Sequence, residues 1–312
     1  MIDYRWLLAL TVAVVSSTAM TACGESSGGE LRAKIRIDGS AAIAPLTRAL
    51  ALKFEKLHPG VDITIGQSGT ARGFERLCAG EIDANDASRA IQPRQAKACE
   101  AEGVGFGEAA VANQAIVALR NPRNPQTCIR VEQLAQIWRP KKPISRWTQV
   151  VNGVHTFPVT IERFGPSPSS AVFDYFTETI NGAEGRQTRD YVKAAGDEAR
   201  TIARVAESKG GIGYLDFSLF PPLGAKGVKA VEVESEESGG CVLPSEATVQ
   251  DGSYNPLGRE LRIYPSTEAL DDPATKAFLD FYLGHANKIA ASVGLVPLSE
   301  EQLEQSEGAL RQ

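Results

Sequence analysis

Residues 31–70 read LRAKIRIDGSAAIAPLTRALALKFEKLHPGVDITIGQSGT. Leu31 to Asp38 contains an alternating, strand-like run, broken by Gly39-Ser40-Ala41-Ala42. Ile43, Leu46, Leu50, Phe54 and Leu57 then recur at three- and four-residue steps, which places them on one face of a helix. Pro59-Gly60 stops that helix, with His58 at its end, and Val61 to Ile65 is strand-like again. A strand, a Gly-and-hydroxyl loop, a helix and a second strand make the opening of an α/β fold.

The alternation continues. A short helix carries Phe74, Leu77 and Cys78, Ile82 to Asp86 enters a further strand or loop, and Gln92 to Glu102 is a helix starting near Pro93. Glu108 to Leu119 is apolar and β-prone and reads as a crossing into a second lobe. Beyond it come a helix at Val131–Trp138, a strand at Val159–Phe164, a loop over residues 165–170, and helices at Ala171–Ile180 and Thr201–Ser208. A turn enters a strand at Gly210–Leu215, Leu261–Tyr264 is a returning strand, and Ala274–Val293 is a long amphipathic helix. The pattern predicts two α/β lobes with mainly parallel sheets flanked by helices and a ligand cleft between them. The expected boundaries are 31–111 with 262–312 for the first lobe and 112–261 for the second.

The chain has 312 residues, 43% hydrophobic and 23% charged, an ordinary globular balance. A net charge of -5 argues against a nucleic-acid partner. It also means that an anion site must be built locally, from backbone dipoles and a few side chains. At the N-terminus, Arg5 offset by Asp3, the apolar run Leu7–Val15 and Met20-Thr21-Ala22-Cys23 read as a signal peptide over residues 1–22. Cys23 resembles the lipidated cysteine of a bacterial lipobox, with Met20 departing from the usual leucine. Residues 23–30 then form a flexible tether, so the expected location is extracytoplasmic, held to the bacterial membrane by a lipid. The remaining Cys78, Cys99, Cys128 and Cys241 form an even set in an exported chain, and three pairings are open. Closeness in sequence within one lobe favours Cys78–Cys99, leaving Cys128–Cys241. His58, His155 and His285 are isolated and no C-x-x-C occurs, so no metal site is expected.

The chemistry lies in a unit that recurs three times, a strand followed by a short hydroxyl-bearing loop and then a helix. The loops are Gly39-Ser40-Ala41-Ala42, Ser68-Gly69-Thr70 and Ser167-Pro168-Ser169-Ser170. Helix N-termini present unpaired N–H groups and a partial positive charge, which favours an anion, and hydroxyls add donors. Helix capping alone also explains serine and threonine there, at about 1 kcal/mol each.

The stretch Ile37–Ala90 resembles the PstS family of phosphate-binding proteins. Gly39-Ser40 with Pro45-Leu46-Thr47 is similar to that family's first loop, and Ser68-Gly69-Thr70 with Gly73-Phe74 to its second. Cys78-Ala79-Gly80-Glu81-Ile82-Asp83 leading to Asp86-Ala87-Ser88-Arg89 is the most specific match. Phe164-Gly165-Pro166 with Phe173–Glu178, Lys209–Tyr214 and Asp251–Leu257 extend the likeness over nearly all of the mature chain. The resemblance implies a class II periplasmic-binding-protein fold and a monomer that catalyses nothing and carries no cofactor. It also implies capture of inorganic phosphate, or a similar tetrahedral oxyanion, for the permease of an ABC importer. Ser40, Ser68, Thr70, Ser169 and Ser170 would supply hydroxyls and Ala41 and Ala42 backbone N–H groups. Arg89, ahead of Arg163, would supply a cation, with Arg72 as a further candidate. Asp86 would accept the proton that hydrogen phosphate keeps near neutral pH and sulfate lacks.

The chain departs from the family where Ala41 or Ala42 replaces a second hydroxyl of the first loop. Ala71-Arg72 replaces glycines of the second loop, and Ser169-Ser170-Ala171-Val172 stands for the usual Asp-Ser-Gly-Thr of the third. Each lost hydrogen bond to a charged ligand costs about 1.5–3 kcal/mol. A drifted module that binds another oxyanion, or serves as a surface sensor, is therefore the competing expectation. An exported hydrolase is a third, since Gly66-x-Ser68-Gly69 nearly matches a nucleophile elbow, but Thr70 breaks the final glycine and no histidine motif supplies a base.

Overall fold

A computed structural model describes residues 30–194, 197–220, 227–235 and 239–310. The expected signal peptide, Cys23 and residues 24–29 of the tether lie outside them. The first segment folds as its periodicity requires, with β1 (Ala33–Gly39), α1 (Ala44–Leu57), β2 (Val61–Ile65), α2 (Thr70–Cys78), β3 (Ala84–Ala87) and α3 (Pro93–Ala101). Pro45 starts α1, where its missing N–H costs nothing. The His58 N–H closes the helix on the Phe54 carbonyl at 2.9 Å. Ile43, Leu46, Leu50 and Phe54 are buried as a stripe, whereas Leu57, in the last turn, is 63% exposed.

The chain continues through β4 (Ala109–Arg120), β5 (Cys128–Ile129), α4 (Val131–Trp138), β6 (Glu162–Gly165), α5 (Ala171–Asn181), β7 (Val192–Lys193), α6 (Glu198–Glu207) and β8 (Gly211–Asp216). It ends with β9 (Lys229–Ala230), β10 (Glu232–Ser235), β11 (Gly240–Val242), α7 (Glu246–Gln250), β12 (Gly258–Pro265), α8 (Thr267–Asp271), α9 (Pro273–Ala290) and α10 (Glu300–Ala309).

The main sheet has the order β2-β1-β3-β12-β4-β8-β6-β7, with β9 on β4. Its two wings are parallel, β2-β1-β3 on one side and β8-β6-β7 on the other. The centre is antiparallel, because β12 pairs with both β3 and β4, and β4 pairs with β8. Gln114 of β4 faces Arg259 of β12, and the register shifts at Leu261/Arg262. A small second sheet, β11-β10-β5, stands apart. The fold is therefore mixed α/β.

Buried apolar side chains form two large clusters. One joins Ile35, Ile37, Leu46, Phe54, Leu261, Ile263, Phe278 and Tyr282, and the other joins Ile116, Trp138, Trp147, Phe176, Tyr214 and Tyr254. Each fully buried large side chain contributes about 1.5–3 kcal/mol. β4 threads both, with Val111 and Ala112 in the first cluster and Ala115 and Ile116 in the second. Two disulfides, Cys78–Cys99 and Cys128–Cys241, close loops of 21 and 113 residues and match the expected pairing. No helix among the described residues is long and apolar enough to cross a membrane.

Candidate functional site

β1, β2 and β3 run parallel, so the loops leaving their carboxyl ends gather at one edge, where open α/β sheets take ligands. The first loop turns at Gly39, whose φ of 130° suits glycine. A Cβ there would lie 2.1 Å from the Asp86 carbonyl oxygen. Gly39→Ala is therefore expected to destabilise the fold by about 2 kcal/mol or more, read from urea unfolding midpoints. A change below about 0.5 kcal/mol would show that the loop does not need this approach. Beyond the turn, Ser40 N–H donates to the Asp86 carbonyl at 2.7 Å, and Ser40 Oγ accepts the Ala42 N–H at 3.2 Å. The Ser40 hydroxyl proton remains available to a ligand.

The second loop is fixed from below by Asp38, a buried acid at the end of β1. Asp38 accepts the Ser68 N–H at 2.9 Å, the Ser68 hydroxyl at 2.8 Å and the Gly39 N–H at 2.8 Å, and also pairs with Arg76. Burial alone raises its pKa, but these donors, led by Ser68 and Gly39, outweigh it and hold the carboxyl below the usual range. The Ser68 hydroxyl thus directs its one hydrogen-bond donor to Asp38 and offers a ligand only an acceptor. Thr70 Oγ1 accepts the Ser88 N–H at 3.1 Å and lies 3.0 Å from Ser88 Oγ. Only one of the two hydroxyls donates to the other, so one proton of the pair faces a ligand. The N–H groups of Thr70, Ala71 and Arg72 open α2 and have no partner one turn back.

A cavity of about 640 Å³ lies over these loops. Ser40, Ala41, Ala42, Ser68, Thr70, Arg72 and Arg89 line it, so the structure brings most of the sequence-derived candidates together. Ser169 and Ser170 stand beside it and only the next residue, Ala171, reaches the lining. Ser170 caps α5, accepting the Val172 and Phe173 N–H groups at 3.2 and 3.4 Å. Arg163 is buried in the second cluster's lobe, its Nε on the Ile137 carbonyl at 2.7 Å.

Asp86 lies beneath the first loop, 1% exposed. Tyr282 O–H lies 3.0 Å from Thr47 Oγ1, which donates to Asp86 Oδ2 at 2.7 Å. Among the described residues, Asp86 Oδ1 is buried without a partner. Burial pushes its pKa up to about 7, against the Thr47 hydrogen bond and with help from the charge of Asp38.

Sequence reasoning missed Ser88, Arg259, Asp174, Tyr175, Glu178 and Glu184, all in the lining. Asp174, Glu178 and Glu184, with Glu75, make four carboxylates against three arginines. Burial first, and neighbouring acids second, raise Asp174 and Glu184 above the usual carboxylate range. One signal for Arg259 was present. It shares a strand face with Leu261 and Ile263, both fully buried, and a charge in that register asks for a partner.

A PBP superfamily domain model matches residues 24–285. The chain belongs to the PBP superfamily. Within that superfamily it is PstS-like. It is 37% identical over 286 residues to Protein SphX of Synechocystis sp., covering 90% of this chain and 82% of that one. It is 29% identical to the Phosphate-binding protein PstS of Staphylococcus epidermidis, covering 94% and 89%. Among solved structures, a possible phosphate binding protein from Planctomyces limnophilus superposes with a TM-score of 0.83 at 32% identity, covering 90% of this chain and 98% of that one. An ABC-type phosphate transport receptor from Vibrio cholerae, at 22% identity and a TM-score of 0.63, shares the two-lobe fold. The PstS relative and these two solved structures are named for phosphate binding or transport.

Proposed function

We propose that the chain is an extracytoplasmic solute-binding lipoprotein that captures inorganic phosphate for an ABC importer. One observation carries the reading. Hydroxyls of Ser40, Thr70 and Ser88 and the start of α2 converge on one cavity, and Asp86, outside its lining but joined to the first loop through the Ser40 N–H, is a buried carboxyl with one unpartnered oxygen. Donors above and a proton acceptor below suit a tetrahedral anion that keeps one proton. The names of the PstS relatives and of the Planctomyces structure support phosphate as that anion. The export signal with Cys23 supports a lipid anchor. Lobes of about 31–111 with 262–312 and of 112–261 are supported by two apolar clusters joined through β4 and β12, although Ala112 and Leu261 pack in the first cluster and Val296 in the second. Capture closes such lobes over the ligand and presents the closed form to a permease.

A second reading has its own support. The Ser68 hydroxyl already donates to Asp38, Ala41, Ala42 and Val172 offer no hydroxyl, and four carboxylates line the cleft. A module drifted toward another oxyanion would look the same. Calorimetric titration near pH 7.5, after unfolding and refolding to strip carried-over ligand, separates the two. Phosphate is expected to bind at micromolar or tighter affinity with no sulfate response. Folded protein that ignores phosphate would overturn the phosphate reading.

A further inference from the structure

Resting on the anion-binding reading above, we propose that Arg259 is the cation that receives the oxyanion in the cleft. Arg259 comes from β12, the strand that lies between β3 and β4 at the centre of the sheet. Its Nε and Nη2 donate to Gln114 Oε1 at 3.2 and 2.9 Å. Its guanidinium carbon stands 3.5 Å from the centroid of the Tyr175 ring. Tyr175 is itself held by its hydroxyl, which donates to the Pro256 carbonyl at 2.9 Å. The guanidinium plane is thus fixed along one edge and across one face. Nη1 makes no hydrogen bond among the described residues, and no carboxylate comes within 4 Å of the group there.

Arg259 is half-buried, with Glu178 and Glu184 acting on it only from beyond ion-pair distance, and a partly desolvated guanidinium without a close counter-ion is costly. An anion that enters the cleft relieves that cost, and a fixed fork receives it with little loss of side-chain freedom. The other arginines are less suited. Arg72 is exposed. Arg89 directs Nη1 to the Ala90 carbonyl and Gln95 Oε1, both at 3.0 Å. Arg163 is held within its own lobe. The carboxylates of Asp174, Glu178 and Glu184 share the lining with Arg259 but form no ion pair with it. They disfavour a fully deprotonated anion and can accept a proton from one that keeps it. The ligand class is therefore a protonated tetrahedral oxyanion.

The test is calorimetric titration of the parent, Arg259→Gln, Arg259→Lys and the exposed control Arg200→Gln with phosphate, arsenate and sulfate. Arg259→Gln is expected to weaken phosphate binding about 10- to 100-fold. Arg259→Lys, which keeps the charge and loses the fork, falls between, and Arg200→Gln matches the parent. Phosphate bound within twofold by the parent and a folded Arg259→Gln overturns the inference and leaves the phosphate reading standing. A parent that ignores phosphate but takes arsenate through Arg259 overturns the phosphate reading alone, and one that takes sulfate through Arg259 overturns the protonated-oxyanion class as well. Silence toward all three overturns both. If Arg259→Gln does not fold, arginine-¹⁵N spectra of the parent decide. The Nε–H resonance that Arg259→Lys removes must shift with phosphate, and an unmoved resonance overturns the inference.

Discussion

Asp86→Asn is expected to stabilise the fold at alkaline pH while weakening the preference for phosphate over sulfate. The carboxyl is buried, receives one hydrogen bond from Thr47, and has its pKa pushed up to about 7. In the folded state it holds its proton more tightly than in the unfolded chain. Its contribution to stability is thus fully present below about pH 4, is lost as pH rises toward about 7, and is flat above that. Between the usual value of 3.8 and about 7 the loss amounts to about 4 kcal/mol. Asparagine does not titrate, so the stability gap between variant and parent should widen by that amount from pH 4 to pH 8. Urea unfolding midpoints across the range measure it, and a gap independent of pH would remove Asp86 as the titrating group. In binding, asparagine presents a donor where the carboxylate repelled sulfate. Phosphate-over-sulfate selectivity should fall at least about tenfold; unchanged selectivity would place the discrimination elsewhere.

Opening the Cys128–Cys241 bridge is expected to remove about 5 kcal/mol of stability, since the bridge closes a loop of 113 residues. A loss of that size is comparable with the whole stability of many domains. Cys128 is half-buried and Cys241 exposed, so the Cys128→Ser/Cys241→Ser pair adds no buried hydroxyl. Denaturant unfolding of the oxidised parent and the double variant gives the difference. A loss below about 1 kcal/mol would show that the unfolded chain is not restrained by this bridge.

The local half of the fold was legible in the sequence. The spacing of Ile43, Leu46, Leu50 and Phe54 gave α1, and Pro59-Gly60 its end, because helix period and chain breakers act within a few residues. The hydroxyl loops and Asp86 could be placed by motif, and most of the loop residues meet at one cavity. What escaped depends on distant partners. The hydrogen bond from the Ser68 hydroxyl to Asp38 joins residues 30 apart, and the stacking of Arg259 on Tyr175 joins β12 to α5. The insertion of β12 between β3 and β4 leaves no mark in periodicity. α10 carries a readable signal at its start. Ser299 and Gln302 have the spacing of a capping box, and the structure forms one, but the helix has no apolar stripe to draw attention.

The position of β12 also sets an order of assembly. β3 and β4 are near neighbours in sequence, yet neither pairs with the other, because β12 lies between them. A growing chain therefore holds two open strand edges through some 140 residues, until Pro265 has joined the sheet. The long-range pairing must wait for almost the whole polypeptide, which makes the fold slow to close and its unfinished forms prone to associate. Fragments that stop short of residue 258 contain most of the cavity's loops but no strand to join their edges. They are expected to aggregate and not to fold as half-sized binding proteins.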